Sequence, residues 1–179
     1  EGKDILEGEK ELYELPTEPW SGLEQLAWSP DGNYIAYSCR KLAGKKYAFS
    51  TNTEIYLYDV ATGESQVIDM KGGYDTDPVW SPDGTKLCWV SMERDGYEAD
   101  KQRLMISDLN WSELDENGCP KASEHLDATA DFKYNATGPV WDENCKEIYF
   151  ASLAEGLQGI FKAEYADEVW QITRLTDED

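Results

Sequence analysis

The feature that most constrains the fold of this chain is a segment written three times. Ala27 to Ser38 reads AWSPDGNYIAYS, and Val79 to Ser91 reads VWSPDGTKLCWVS. A third copy, VWDENCKEIYFAS from Val140 to Ser152, keeps the aromatic and apolar positions but loses most of the turn residues. Aligned on tryptophan, each copy has an aliphatic residue seven positions later and an aromatic residue nine positions later. Such repetition indicates a fold built from sibling units.

Each of the first two copies carries a turn whose residues have defined roles. In Ser-Pro-Asp-Gly at 29–32 and 81–84, proline fixes φ at the second position and glycine relieves the last corner. In the third copy Glu143 replaces proline and Cys145 replaces glycine, while Asn144 tolerates the left-handed conformation. We therefore expect three hairpins, the third with a weaker local turn preference.

The apolar residues alternate with period two after each turn, which indicates a strand with one buried face. Further strands are predicted at Glu54–Val60, Arg103–Leu109 and Gly159–Tyr165, and then at Ser65–Asp69, near Ser123–Asp127 and at Gln171–Thr176. Four short antiparallel strands per unit predict an all-β fold, a partial β-propeller with about three blades in an open arc. A β-sandwich of irregular hairpins is the alternative.

The repeats also predict how the chain is divided. Residues 1–18 would end a preceding blade, with its last strand at Ile5–Leu15, and residues 19–72, 73–131 and 132–179 would each form one blade. Propellers close with about four to eight blades, so three blades leave two apolar faces without neighbours. We therefore expect either a fragment of a longer protein, which the abrupt start favours, or self-association through the open blade faces.

The composition narrows the classes of partner. The formal charge is −21, with 37 acidic and 16 basic side chains. Such a field repels phosphate backbones and anionic lipids, which argues against nucleic-acid and membrane partners. The first interpretation of this acidity is that it keeps the protein soluble. The second is that it attracts cationic groups such as a peptide amine.

No motif for chemistry was found. The sequence contains no G-x-S-x-G, its single histidine is His125, and its four cysteines show no C-x-x-C spacing. The aspartates of Tyr74–Asp77 lack the number and spacing of a calcium loop. We therefore predict no catalytic residue, no metal ligand and no cofactor in this chain.

The candidate binding site lies in two long connections between second and third strands, Arg40–Thr53 and Met92–Gln102. Both are predicted on the same side of the propeller, where binding loops on a rigid scaffold are commonly found. The second loop supplies the candidate substrate-binding residues Glu93, Arg94, Asp95, Tyr97 and Glu98. Carboxylates beside an arginine suit the two ends of a zwitterionic peptide. Solvated loops without a ligand are the alternative.

Two stretches carry a family resemblance. IAYSCRKLAGKKYAFSTNTEIYLYDVATGE, followed by GYDTDPVWSPDGTKLCWVSMERDGYEADKQRLMISDL, resembles the propeller region of the prolyl oligopeptidase family of serine peptidases. Within it, the bacterial dipeptidyl-peptidase and acylaminoacyl-peptidase-like branch is the nearest match. The resemblance extends from about Pro19 to Thr176. WSPDG alone is shared with TolB-like propellers, whereas SMERDGYEADK coupled to STNTEIYLYD is more specific.

The resemblance implies a function. In that family an N-terminal propeller covers a C-terminal α/β-hydrolase domain with a Ser-Asp-His triad, and the enzymes are typically exported. It implies that Glu93, Arg94, Tyr97 and Glu98 face the substrate cavity, that the propeller gates access and helps bind the N-terminal part of a peptide, and that the protein is periplasmic or secreted. These 179 residues lack the triad, so activity of this chain alone is left open. The alternative is a stand-alone TolB-like module for protein–protein interaction.

Overall fold

The chain folds into three antiparallel β-sheets, one for each sequence repeat. The structure is a computed structural model that describes residues 2–17, 22–68, 72–115 and 119–176. The innermost strand of the middle sheet contacts the innermost strands of both neighbours, as expected for sheets arranged around a common axis. The predicted all-β partial propeller with three blades is confirmed, and the sandwich alternative is wrong. We call the sheets blades 1, 2 and 3 in chain order.

Blades 1 and 3 each have four strands in sequential order. A short 3-10 helix at Leu23–Gln25 precedes blade 1, whose elements are β1 (Leu26–Trp28), β2 (Tyr34–Cys39), α1 (Lys45–Phe49), β3 (Glu54–Asp59) and β4 (Ser65–Val67). Blade 3 consists of β10 (Thr137–Trp141), β11 (Glu147–Ala154), β12 (Leu157–Ala166) and β13 (Val169–Arg174). Within the described ranges, no helix has the length and apolar character needed to cross a membrane.

Blade 2 has a divided outer strand. Its elements are β5 (Tyr74–Trp80), β6 (Lys86–Met92), β7 (Arg103–Leu114), β8 (Pro120–Ala122) and β9 (Leu126–Asp127). Both β8 and β9 pair with β7, so the predicted fourth strand near Ser123–Asp127 is present only as two short pieces. The break lies at Ser123, whose hydroxyl accepts a hydrogen bond from the backbone N–H of Asp108 at 3.0 Å.

The three hairpins form as predicted, but the third uses different chemistry. In blade 1 the Ser29 hydroxyl donates to Asp31 and accepts from the Tyr34 N–H, and blade 2 repeats these bonds. In blade 3 the Asp142 carboxylate takes the place of the serine and accepts from the Lys146 and Glu147 N–H groups at 2.7 and 2.8 Å. The left-handed residue is Cys145, with φ of 59°, rather than Asn144. Cys145 stands where blades 1 and 2 have glycine, so the turn keeps its register.

The tryptophans of the second and third repeats join their blades to the preceding blade. Trp80 and Trp141 are buried between blades, with 9% and 8% of their surface exposed. The Trp80 indole donates to the carbonyl of Ala27 in blade 1, and that of Trp141 donates to the carbonyl of Val79 in blade 2. Trp28, the first of the series, is 61% exposed. The alternating apolar residues therefore build two interblade cores, and one equivalent tryptophan is left uncovered.

The outer face of blade 3 differs from the faces buried inside the arc. Leu57 and Ile106 occupy matching positions on β3 and β7 and are buried in the two interblade cores. The matching residue on β12 is Lys162, whose ammonium lies 2.7 Å from Glu147 and 2.9 Å from Glu164. This face therefore carries a charged cluster where the internal faces are apolar.

The segment before blade 1 departs from the prediction. Ile5 to Leu15 was expected to form a strand, and this is wrong, because the segment forms turns. The Asp4 side chain accepts from the Leu6 N–H at 2.9 Å, and Gly8 adopts φ of 92°, so local bonding favours turns over a strand. Side chains of this segment pack on Tyr37 and its neighbours on the back of blade 1. The predicted limits of the four segments stay predictions.

Candidate functional site

The two predicted binding loops meet, and Asp95 connects them. Asp95 Oδ1 accepts hydrogen bonds from the backbone N–H groups of Thr51 at 2.7 Å and Asn52 at 3.1 Å. The Ser50 hydroxyl lies 2.8 Å from both carboxylate oxygens. In return the Gly96 N–H donates to the Thr51 hydroxyl at 2.8 Å. We call this group of contacts, made by residues 50–52, 95 and 96, the loop clasp.

The loop clasp favours the ionised form of Asp95. Partial burial opposes ionisation of this carboxyl, but the hydrogen bonds from Ser50, Thr51 and Asn52 outweigh it, so the pKa of Asp95 lies below its usual value. The side chain belongs to a solvent-exposed residue. It therefore remains a carboxylate wherever the fold is intact at neutral pH.

Arg94 is engaged inside its own loop. Its guanidinium donates to both oxygens of Asp100, at 2.8 and 3.1 Å, and its backbone N–H donates to the same carboxylate at 3.0 Å. The guanidinium also lies over the ring of Tyr97, 4.1 Å from its centre. These bonds from Arg94 lower the pKa of Asp100. The arginine half of the predicted zwitterion site is thus directed at a neighbour in the protein.

Glu93 and Glu98 are the more available acids of the second loop. Glu98 is exposed, and its carboxylate forms no ion pair or hydrogen bond with the residues that the structure describes. The Glu93 side chain is 74% exposed and forms an ion pair with Arg103 at 3.6 Å. Tyr97 lies beside them and is 47% exposed. All five predicted residues lie in one loop and are exposed, but Arg94 and Asp95 are already bonded to neighbouring groups of the protein.

The base of the second loop is held by close backbone contacts. A Cβ on Gly73, which adopts φ of 107°, would lie 2.1 Å from the Met92 carbonyl oxygen. The carbonyl of Gly73 also accepts from the Thr53 N–H at 3.1 Å. Only glycine fits here, because it has neither the side chain nor the conformational penalty. The two strand ends that carry the loops are therefore fixed close together.

Asp75 is a structural acid that the sequence did not single out as such. It is 2% exposed, and its carboxylate accepts from the Trp89 indole at 3.1 Å. Its carbonyl accepts from the hydroxyls of Ser38 and Thr53, which belong to blade 1. This acid therefore joins blades 1 and 2 directly below the loops. The sequence signal available for it was only its place in Tyr74–Asp77.

A groove opens beside the loop clasp. It has a volume of about 370 Å³ and is lined by Leu42, Lys46, Phe49, Ser50, Asn52 and Asp95. Phe49 is 83% exposed at the end of α1, an aromatic side chain that sequence reasoning missed. Among the described residues, no three His, Cys, Asp or Glu side chains are grouped to hold a metal ion. The arrangement offers acceptors and apolar surface, and thus suits binding.

The sequence of this chain is similar to part of two proteins named dipeptidyl-peptidase 5. The chain is 42% identical over 176 residues to dipeptidyl-peptidase 5 of Porphyromonas gingivalis, covering 98% of this chain and 22% of that protein. It is 50% identical over 107 residues to dipeptidyl-peptidase 5 of Porphyromonas endodontalis, covering 59% and 15%. The chain therefore spans about a fifth or less of the length of these relatives. No family model matches it.

The fold of this chain is also similar to part of a solved structure. Prolyl oligopeptidase B from Galerina marginata superimposes with a TM-score of 0.62 at 13% sequence identity, over 89% of this chain and 22% of that one. Sheets, tryptophan contacts and loops together define a β-propeller segment. The chain is thus a β-propeller segment that is similar in sequence to part of dipeptidyl-peptidase 5 and similar in fold to part of prolyl oligopeptidase B.

Proposed function

We propose that this chain forms part of the propeller of an exported serine exopeptidase of the dipeptidyl-peptidase type. In this proposal the propeller gates access and helps bind the N-terminal part of a peptide, and an α/β-hydrolase domain outside these 179 residues performs catalysis. Sequence identity to two proteins named dipeptidyl-peptidase 5 supports the proposal. A periplasmic or secreted location is part of it.

The observation that carries the proposal is the pair of exposed acids on the second loop. Glu93 and Glu98 are acceptor-only groups, and a peptide ammonium supplies three donors. The excess of 37 acidic over 16 basic side chains adds a long-range attraction for the same cation. Tyr97, which is 47% exposed and carries Arg94 over its ring, adds an aromatic side chain beside the acids. The loop therefore suits recognition of a free peptide amine.

The test uses the longer protein that contains this chain. Glu93→Gln and Glu98→Gln remove one negative charge each and should raise KM for dipeptidyl substrates about threefold to tenfold, with kcat within twofold. Glu124→Gln changes another exposed acid, on blade 2, and is the matched control that should change neither constant. Wild-type KM and kcat in both loop variants would remove these residues from the site.

A second test addresses the parent protein. A reading frame that continues beyond Asp179 with G-x-S-x-G, followed by Asp and His, agrees with the proposed peptidase. A stop codon at that point contradicts it and agrees with a stand-alone module. The outcome does not depend on any property of the loops.

We also propose that the isolated chain self-associates through its open blade faces. Trp28 is 61% exposed although its two equivalents are buried. On blade 3, Val140, Leu153 and Ile160 are 61%, 62% and 42% exposed on the face that lies away from blade 2. Exposed apolar surface of this kind promotes association.

A further inference from the structure

We infer that Asp95 is a positioning residue that holds the loops of blades 1 and 2 together as one binding surface. The sequence had placed Asp95 among the candidate ligands for substrate. The contacts of the loop clasp indicate a different role for Asp95, because its carboxylate is already bonded to groups of the protein. The inference rests on the proposed function only where it says that the second loop contacts substrate.

Groups of the protein already occupy acceptor positions of the Asp95 carboxylate. Its Oδ1 atom receives the N–H groups of Thr51 and Asn52 and the Ser50 hydroxyl, all within 3.1 Å. A carboxylate has about four acceptor positions on its two oxygens, so one oxygen is saturated by the protein itself. An ammonium that approached Oδ1 would have to compete with these charge-assisted bonds, and Oδ2 shares the Ser50 hydroxyl with Oδ1.

Hydrogen bonds run in both directions between the two loops. The donors to Asp95 come from three consecutive residues, and the reverse bond from Gly96 to the Thr51 hydroxyl closes a ring between the loops. Gly96 adopts φ of 74°, which lets the chain turn back immediately after Asp95. A closed ring of short bonds fixes both the distance and the orientation of the two loops.

The loop clasp lies directly beside the exposed side chains of the two loops. Phe49 directly precedes the clasp in the first loop, and Tyr97 and Glu98 directly follow it in the second. All three are exposed, and of these only Tyr97 has a described side-chain contact inside its own loop, with Arg94. The loop clasp therefore restrains the surface where two aromatic side chains and one acid would meet a peptide.

The first experiment measures the clasp in this chain without reference to substrate. In Asp95→Ala we expect the Thr51 and Asn52 amides to exchange hydrogen about threefold to tenfold faster than in wild type. Asp95→Asn keeps one acceptor oxygen and should give an intermediate rate. Asp131→Ala, an exposed acid on blade 2, is the matched control. Unchanged exchange in Asp95→Ala would overturn the inference.

The second experiment uses the longer protein and separates the two proposals. Asp95→Ala should raise KM for dipeptidyl substrates with kcat within twofold, and Asp95→Asn should recover part of the loss. Faster exchange with an unchanged KM would overturn the positioning role. An altered KM in Asp95→Ala together with wild-type KM in Glu93→Gln and Glu98→Gln would reject the proposed ligands and keep Asp95 as a positioning residue.

Discussion

The indole Nε1 of Trp80 donates a hydrogen bond to the carbonyl oxygen of Ala27, 53 residues earlier, at 3.0 Å. Trp141 repeats this relationship with Val79 at 3.3 Å, one blade further along. The same residue type at the same place in each repeat thus sets both the packing and the polar contact between neighbouring blades.

Replacement of Trp80 separates these two contributions. Trp80→Phe keeps most of the apolar contact and should lower the free energy of unfolding by about 1–2 kcal/mol through the lost hydrogen bond and some volume. Trp80→Ala should cost about 3–5 kcal/mol. Urea unfolding measures both. Trp28→Ala is the control and should change stability by less than about 1 kcal/mol, because Trp28 is 61% exposed.

Self-association is expected from the uncovered faces. The 179-residue chain should sediment as oligomers at micromolar concentration, and Ile160→Asp, on the outer face of blade 3, should shift the distribution toward monomer, because a charge opposes burial of that face. Phe49→Asp, on an exposed loop residue, is the control and should leave the distribution unchanged. A wild-type chain that sediments as a clean monomer would contradict this expectation.

The Arg94–Asp100 pair predicts a specific titration. The bonds from Arg94 lower the pKa of Asp100 in the folded chain, so ionisation of this carboxyl favours the ordered loop above its unfolded pKa. That contribution is lost as the pH falls through the lower folded value. Carboxyl carbon shifts in NMR should show the pKa of Asp100 rising toward its usual value in Arg94→Gln. Arg94→Lys should give a smaller rise, because lysine keeps the charge without the two parallel bonds.

The third hairpin predicts an unusual stabilising substitution. Cys145 adopts φ of 59°, a conformation that costs a non-glycine residue roughly 1 kcal/mol or more. Cys145→Gly should therefore raise the free energy of unfolding by about 1 kcal/mol. The reverse exchange in blade 2, Gly84→Ala at φ of 71°, should lower it by a similar amount. Equal stability of the Cys145→Gly variant and wild type in urea would show that the turn is not strained.

The repeats made the sheets predictable, because period-two alternation and turn residues act locally. Trp28, Trp80 and Trp141 kept one register even where the third turn lost its proline and glycine. The contacts of Asp95 and Asp75 were not predictable, since they depend on which loops meet in space. The segment Ile5–Leu15 forms turns and not the predicted strand, because the local hydrogen bond to Asp4 outweighs its apolar pattern.

The charged cluster on blade 3 also affects the order in which blades can stack. A sheet that docked on the internal faces would bury Leu57 or Ile106 without electrostatic cost. A sheet that docks on blade 3 must accommodate Lys162 between Glu147 and Glu164, and covering these ions with purely apolar surface carries a desolvation penalty. The polarity of each blade face therefore favours one stacking order of the blades, in addition to the order set by the covalent chain. This difference disfavours mispaired and domain-swapped arrangements during folding.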